Sequence, residues 1–356
     1  MCADITPLYD PVVLLQQSLD LWDTPYVELD IFATDRAVQI VDVVDTFCRT
    51  HLGASIAGYL FYGASVGSTH GVRLMDGREV VIKARPPAHV NPDLPLGAHD
   101  VEIVCHVMQW LRARSYPCPH VLLHPTALGA GVATVEEFLA PGTYGDAFVP
   151  VCRQTIAAGL ATLVSLLRAY SGERPRRRQF QRSATLYPQP HGKIFNFPAT
   201  AAGAEWIDDV ARRARQTEAH ALEWILGHGD WKVEHLRFQE GRIVVVYDWD
   251  SLVVGAETEL LGGTAHGFTA DWTREGVRRI PTADDICAFV ADYEHACSRS
   301  FTKQERQSVF AACVYWIAYS ARCTHALSPS TTEWPPDTFP YLLRTEGEVL
   351  LAAATG

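Results

Sequence analysis

Leu226-Gly227-His228-Gly229-Asp230-Trp231-Lys232-Val233-Glu234-His235 is followed, after a short β-rich stretch, by Asp248-Trp249-Asp250. His235 stands five residues after Asp230, and Asp248 eighteen after it. The run Arg242-Ile243-Val244-Val245-Val246-Tyr247 is rich in β-branched residues, and Glu240-Gly241 before it is a turn signal. Strands over residues 236–238 and 243–247 would return the chain and bring Asp248 close to Asp230. One carboxylate could then hold a substrate hydroxyl while the other holds a metal on nucleotide phosphates, which is the geometry of phosphoryl transfer. Either aspartate alone would read as a turn former or helix cap. Together, with a His-Gly lead and a tryptophan between two acids, they favour the chemical reading.

At 356 residues the chain exceeds one simple core and suits two lobes with a ligand-binding cleft. Apolar residues make up 48% and charged residues 20%, so composition gives no sign of disorder. The formal charge of −11 argues against a nucleic-acid partner, because phosphate binding draws on clustered Lys and Arg. It suits a cationic small substrate, though solubility explains it equally well. Nine cysteines without a Cys-x-x-Cys pair do not suit a disulfide framework or a structural zinc site, so reduced and mostly buried thiols are expected. The first ten residues carry Asp4 and no basic residue, which fails as a signal peptide. The apolar stretch 310–319 is far short of the roughly 20 residues a bilayer requires. A cytoplasmic protein with no membrane partner is expected, its oligomeric state open.

Helical periodicity predicts helices over residues 11–21 and 35–52. From residue 60 the period changes to that of strands. An apolar run at 59–62 leads through Gly63, Gly67 and Gly71 into 72–75, and Asp76-Gly77 joins that to 78–84, the strongest short hairpin signal in the chain. After a Pro-rich loop (86–95) come a helix over 98–114 and strands over 121–128 and 132–139. Pro141-Gly142 marks the expected lobe boundary. Beyond it, helices are predicted over 149–170, 204–225, 283–298 and 303–327. Between 172 and 198 lie several prolines and Arg174, Arg176, Arg177, Arg178 and Arg182, which read as a solvated loop before they read as a phosphate site. The expected architecture is α+β: residues 1–55 a helical N-terminal extension, 56–140 a β-rich lobe, and 141–356 a mainly helical lobe.

The motif His228-Gly229-Asp230, the position of His235, and Asp248-Trp249-Asp250, with Val80-Val81-Ile82-Lys83 and Val135-Glu136-Glu137-Phe138-Leu139, resemble the aminoglycoside phosphotransferase and choline kinase group. That resemblance spans residues from about 60 to 325 and implies the protein-kinase-like fold, with a small antiparallel-sheet N-lobe and a larger helical C-lobe. It implies that Asp230 orients and deprotonates an acceptor hydroxyl and that Asp248 coordinates Mg²⁺ bridging the phosphates of ATP. Lys83 would contact the α and β phosphates, and the backbone of residues 136–139 would read the adenine edge. The glycine loop, with Ser65 and Ser68, would cover the phosphates, although it does not fit Gly-x-Gly-x-x-Gly. Glu102, with Asp100 competing, is the helix carboxylate expected to steady Lys83. GTP as donor stays open from residues 135–139.

The family's usual asparagine five residues after the catalytic aspartate is His235 here. Three readings stand: His235 ligates Mg²⁺ or the softer Mn²⁺; it only hydrogen-bonds Asp230 and leaves the ion to Asp248, with Glu234 or Asp250 as further oxygen donors; or metal binding is lost. The second is the working expectation. Trp231 and Lys232 stand to contact the acceptor, Lys232 by neutralising developing charge, or else to pack and to be exposed respectively. Asp271, Glu257, Glu259, Asp284, Asp285 and Glu294, with Trp272, Tyr293, Trp316 and Tyr319, would suit an amino-sugar or quaternary-amine acceptor, although core packing explains Trp316 and Tyr319 as well. His266 and His325 read as structural. The expected activity is ATP-dependent transfer of the γ-phosphoryl group to a small-molecule hydroxyl, of the amino-sugar-like or antibiotic kind. The rivals are a pseudokinase that regulates a partner and a choline- or homoserine-type kinase. The absence of Ala-Pro-Glu after Asp248 disfavours a protein substrate.

Overall fold

The structure, a computed structural model, describes residues 7–87, 97–176, 185–190, 192, 194–216 and 223–353. The chain forms two compact units, Met1–Ala140 and Pro141–Gly356.

In the first unit, Asp10 caps α1 (Pro11–Leu19), its carboxylate accepting from the N–H groups of Val12 and Val13. A short α2 (Tyr26–Phe32), not foreseen from periodicity, stops at Ala33, and α3 (Ala37–Leu52) stops at the left-handed Gly53. Five antiparallel strands follow: β1 (Ile56–Ala64), β2 (Ser68–Leu74), β3 (Glu79–Arg85), β4 (Val121–Leu128) and β5 (Gly131–Glu137), in the order β1-β2-β3-β5-β4. Asp76-Gly77 turns β2 into β3, with Gly77 at φ +89°. The helix α4 (Ala98–Arg112) lies between β3 and β4 in the chain and packs on β4.

Along β3 the buried residues Val80, Ile82 and Ala84 alternate with Val81 and Lys83. They join Leu15, Leu19, Ile31, Ile40, Val44 and Phe47 of the first three helices, with Tyr59, Val72 and Val135, in one core. The N-terminal helices thus cover the sheet and belong to the same compact unit. The period of two puts Lys83, Thr134 and Glu136 on the face opposite Val80, Ile82 and Val135.

The second unit contains α5 (Pro150–Arg168), α6 (Glu205–Gln216), the paired strands β6 (Ile225–His228) and β9 (Leu252–Gly255), and the hairpin β7 (Leu236–Gln239) and β8 (Arg242–Val246). Four helices complete it: α7 (Glu257–Ala265), α8 (Ala283–Ala296), α9 (Lys303–Leu327) and α10 (Phe339–Ala353). Thr282 with Asp285 and Thr302 with Glu305 form capping boxes at α8 and α9.

The helix expected over 204–225 is corrected. α6 ends at Gln216, residues 217–222 lie outside the described set, and Ile225 opens a strand. Four consecutive buried residues carry no period, so only the partner β9 reveals that they are a strand. By length and composition α5 could cross a membrane, which the apolar count at 310–319 had missed. It packs on α8 and β6, burying Ile156, Leu160, Leu163, Val164 and Leu167 within this unit. Of the arginine run, Arg174 donates to the Trp224 carbonyl, while Arg177, Arg178 and Arg182 lie outside the described residues, as does most of the Pro-rich loop.

Candidate active site

The second unit brings the two aspartates together. The Gly229 N–H donates to the Ser251 carbonyl (2.7 Å), tying the turn after β6 to the segment before β9. His228 is buried, its Nδ1 accepting from the Asp230 N–H (3.2 Å) and its Nε2 lying 3.0 Å from the Tyr247 carbonyl. An amide only donates, so the ring is the neutral tautomer with its proton on Nε2. Burial holds its pKa below the usual imidazole value, against the opposing pull of Asp248. One ring therefore couples the backbone of Asp230 to the residue preceding Asp248.

Asp248 adopts the left-handed conformation (φ +59°, ψ +45°), one that Asp tolerates better than most residues. The Ser251 hydroxyl donates to its Oδ2 at 2.5 Å. The Tyr247 N–H donates to the His235 carbonyl (2.9 Å), closing the base of the β7–β8 hairpin. His235 Nε2 then lies 3.1 Å from Asp230 Oδ2 and 3.8 Å from Asp248 Oδ2. One ligand atom from each of these three residues falls within 4.8 Å of the others.

Lys232, 16% exposed, places Nζ 3.0 Å from Asp230 Oδ2 and 3.3 Å from Glu234 Oε1. Burial works against both charges, yet the pair prevails. Lys232 and His235 hold the Asp230 carboxyl well below its usual value, and Asp230 with Glu234 raises the Lys232 ammonium above its own. Lys232 is thus neither exposed nor free of partners. Trp231 is a packing residue, fully buried with its indole donating to the Ile156 carbonyl of α5. Glu234 is engaged by Lys232 and by the Trp272 N–H (2.6 Å). Asp250 does not join the cluster: the chain turns through a 3-10 turn, Trp249–Ser251, into β9, and the cluster's three groups are Asp230, His235 and Asp248.

Most acids expected to receive a cationic acceptor are spent within the unit. Glu257 binds Arg168, Arg299 and Tyr293; Asp271 binds Arg274 and Thr273; Glu294 binds Arg306. Glu259 and Asp285 cap helices, and Asp284 is exposed. Tyr293 is buried and Trp272 is 56% exposed. His266 stacks on Trp316 and bonds the Gly263 carbonyl, burial pulling its pKa down to about 4, and His325 bonds the Ala202 carbonyl.

In the first unit, Lys83 Nζ lies 3.1 Å from Glu136 Oε1, the two side chains 12% and 6% exposed. The register Val81↔Glu136 and Lys83↔Thr134 makes them diagonal neighbours on one face. This corrects the expectation for Glu102, whose Oε1 instead meets His124 and His106. Ser68 is corrected as well: it is 1% exposed, and its hydroxyl bonds the buried His70, whose other ring nitrogen meets Tyr59. Ser65 is exposed on the β1–β2 turn, where its N–H donates to the Gly67 carbonyl. A Cβ on Gly67 would meet the Ala84 carbonyl at 2.4 Å, so that turn requires glycine. At the end of β5 the Glu137 and Phe138 N–H groups already donate to the His120 and Glu79 carbonyls, so a base edge would not find those donors. Phe138 packs near Phe61, Glu137 pairs with Arg112, and Leu139 follows in the chain.

Three signals were within reach of the sequence but unused: Glu136 two positions along β5 from the residue opposite Lys83, Ser251 three after Asp248, and His228 as a link between the two acidic segments.

The family model described as phosphotransferase enzyme family (APH) matches residues 72–294, more than half of the chain. No curated protein sequence matches it. Among solved structures, choline kinase LicA from Streptococcus pneumoniae superposes with a TM-score of 0.54 at 12% identity, covering 88% of this chain and 98% of that one. Spectinomycin phosphotransferase APH(9)-Ia, in complex with ADP and spectinomycin, gives 0.52 at 13% identity, covering 88% and 98%. Amicoumacin kinase hAmiN, in complex with AMP-PNP, Ca²⁺ and Ami, gives 0.52 at 12% identity, covering 81% and 83%. At such identities the likeness is one of fold. The family match runs from within β2, through β3, β4, β5 and the Asp230–His235–Asp248 cluster, into α8, and the chain belongs to the phosphotransferase enzyme family, as a small-molecule kinase of the protein-kinase-like fold.

Proposed function

We propose that this chain transfers the γ-phosphoryl group of ATP to a hydroxyl of an amino-sugar-like or antibiotic small molecule. The observation that carries the reading is the state of Asp230. Its Oδ2 is held by Lys232 and His235, its Oδ1 has no hydrogen-bond partner among the described residues, and 42% of the side chain is exposed. A carboxylate with one oxygen pinned and the other open is set to receive an alcohol O–H. Its lowered pKa makes it a weak base, so its main work is alignment of the attacking oxygen, which suffices because a loose phosphoryl-transfer transition state requires little prior proton removal.

Asp248, with Asp230 close by, offers oxygen donors that suit a hard divalent cation, whereas the His235 nitrogen suits Mn²⁺ better than Mg²⁺. Such an ion, when bound, neutralises charge on the phosphates. In our reading Asp248 holds it, His235 orients Asp230, and Lys232 keeps Asp230 ionised. The resemblance assigns Lys83, braced by Glu136, to the α and β phosphates, and Ser65 to the same nucleotide. With Glu257, Asp271 and Glu294 paired to arginines, the reading rests on hydrogen bonds to acceptor hydroxyls and not on an acidic aromatic cage for a cation.

The test is ADP release with aminoglycosides, amino sugars, choline and homoserine, under Mg²⁺ and Mn²⁺. At least one hydroxylated antibiotic or amino sugar should turn over, and Asp230→Ala should lower that rate by about 10²–10⁴-fold while ATP still binds. His235→Asn should lower the rate without changing the preferred metal. ATP binding without transfer to any acceptor sinks the reading, and turnover of choline alone moves the acceptor class.

A further inference from the structure

Among the described residues a second group of metal-ligating side chains lies in the first unit, unrelated to the aspartate cluster. Glu102 and His106 are one turn apart on α4, at the i,i+4 spacing that puts side chains on one face, and His124 stands on the adjoining β4. Glu102 Oε1 lies 2.8 Å from His124 Nδ1 and 3.3 Å from His106 Nε2, and all three ligand atoms fall within 4.8 Å of one another. A tetrahedral Zn²⁺ with bonds of about 2.0–2.1 Å sets its ligand atoms about 3.3–3.4 Å apart. The His106–Glu102 pair already has that spacing, His124 and Glu102 are at 2.8 Å, the two histidine atoms lie within 4.8 Å of each other, and side chains 36–55% exposed have room to adjust.

A second feature points the same way. Gln109, on α4 three residues beyond His106, lies with Nε2 2.8 Å from His124 Nε2. An amide can present its oxygen there as readily as its nitrogen. With Nδ1 on a metal, the Nε2–H would donate to that oxygen, the outer hydrogen bond by which metal-bound imidazoles are oriented.

We propose that Glu102, His106 and His124 form a site for a borderline divalent transition metal of the Zn²⁺ class, with water in the fourth position and Gln109 as the outer partner of His124. The ion would staple α4 to β4, the strand paired with the one that carries Glu136. The cysteine pattern is silent on such a site, because no thiolate takes part. The proposal is independent of the identity of the phosphoryl acceptor.

Zn²⁺ titration of the chelator-treated full chain tests it, by calorimetry and with Co²⁺ absorption as a spectroscopic probe. Asp248→Ala serves as the parent, to weaken binding at the aspartate cluster. One equivalent should bind to the parent and be lost when either His124→Ala or His106→Ala is added. Gln109→Ala should weaken it by about 10–100-fold. His106→Ala alone, an exposed change expected to fold normally, should leave the phosphoryl-transfer rate in Mg²⁺ unchanged. A parent that takes up no Zn²⁺, or uptake equal in the His106→Ala chain, overturns the proposal and leaves Glu102 a hydrogen-bond partner of two histidines.

Discussion

Replacement of His228 by leucine isolates the coupling between the two carboxylates. The ring is 1% exposed and makes two hydrogen bonds, one from the Asp230 amide and one to the Tyr247 carbonyl. Leucine keeps much of the apolar volume and removes both. A buried polar group left without a partner costs about 1–3 kcal/mol. Tyr247 is only partly buried, so water recovers some of its carbonyl's loss, and the expected destabilisation is about 2–4 kcal/mol. For a cooperative unit of this size each kcal/mol lowers Tm by roughly 2–4 °C, so a fall of roughly 5–15 °C is expected. Catalysis should suffer separately, because the Asp230 amide loses its own link to the segment that carries Asp248 and only the neighbouring Gly229–Ser251 backbone hydrogen bond remains. A displacement of about 1 Å can cost on the order of 10²-fold, and kcat/KM should fall about 10–100-fold when measured well below the variant's unfolding transition. A lowered Tm with unchanged kcat/KM would reduce His228 to a core residue; no change in either would mean that the two hydrogen bonds do not exist in solution.

Lys232→Met should move the acid limb of kcat/KM toward neutral pH. Asp230 acts as the carboxylate, which is present above its pKa, and loss of the nearby ammonium raises that pKa; Lys232→Arg should restore the limb, and a limb that stays in place refutes the assignment. Acid should destabilise the fold, because burial pulls His70 down to about 3 and His266 to about 4 from an ordinary value near 6.5. The unfolded chain takes up these protons first, so stability is full above about pH 6.5 and falls from there to about pH 3–4, by up to about 1.4 kcal/mol per pH unit for each histidine. Urea midpoints between pH 4.5 and 7.5 check this: His70→Gln should flatten the slope, and a flat wild-type profile would contradict the buried neutral rings.

Local signals were legible wherever one residue type or one period suffices. Asp76-Gly77 announced its hairpin because φ near +89° needs glycine. The helix Lys303–Leu327 follows from Thr302, Glu305 and a long run without Pro or Gly. The hairpin expected between Asp230 and Asp248 already returned the second acid to the first, and His235 joins them in the structure. Register and packing decided the rest. Ile225–His228 is a strand only because β9 lies beside it. Lys83 meets Glu136 rather than Glu102 because β3 and β5 pair in a particular register, and Ser68 turns inward to His70. Lys232 is held between two acids, and Trp231 hangs from a carbonyl 75 positions earlier in the chain. Most helices, the Asp76-Gly77 hairpin and the inventory of chemistry-bearing groups were readable from residue order alone, since they depend on neighbours a few positions away. The strand Ile225–His228, and which of those groups are engaged and which stay open, came from packing, because hydrogen bonds and burial are settled between segments whose separation along the chain encodes nothing about their distance in space.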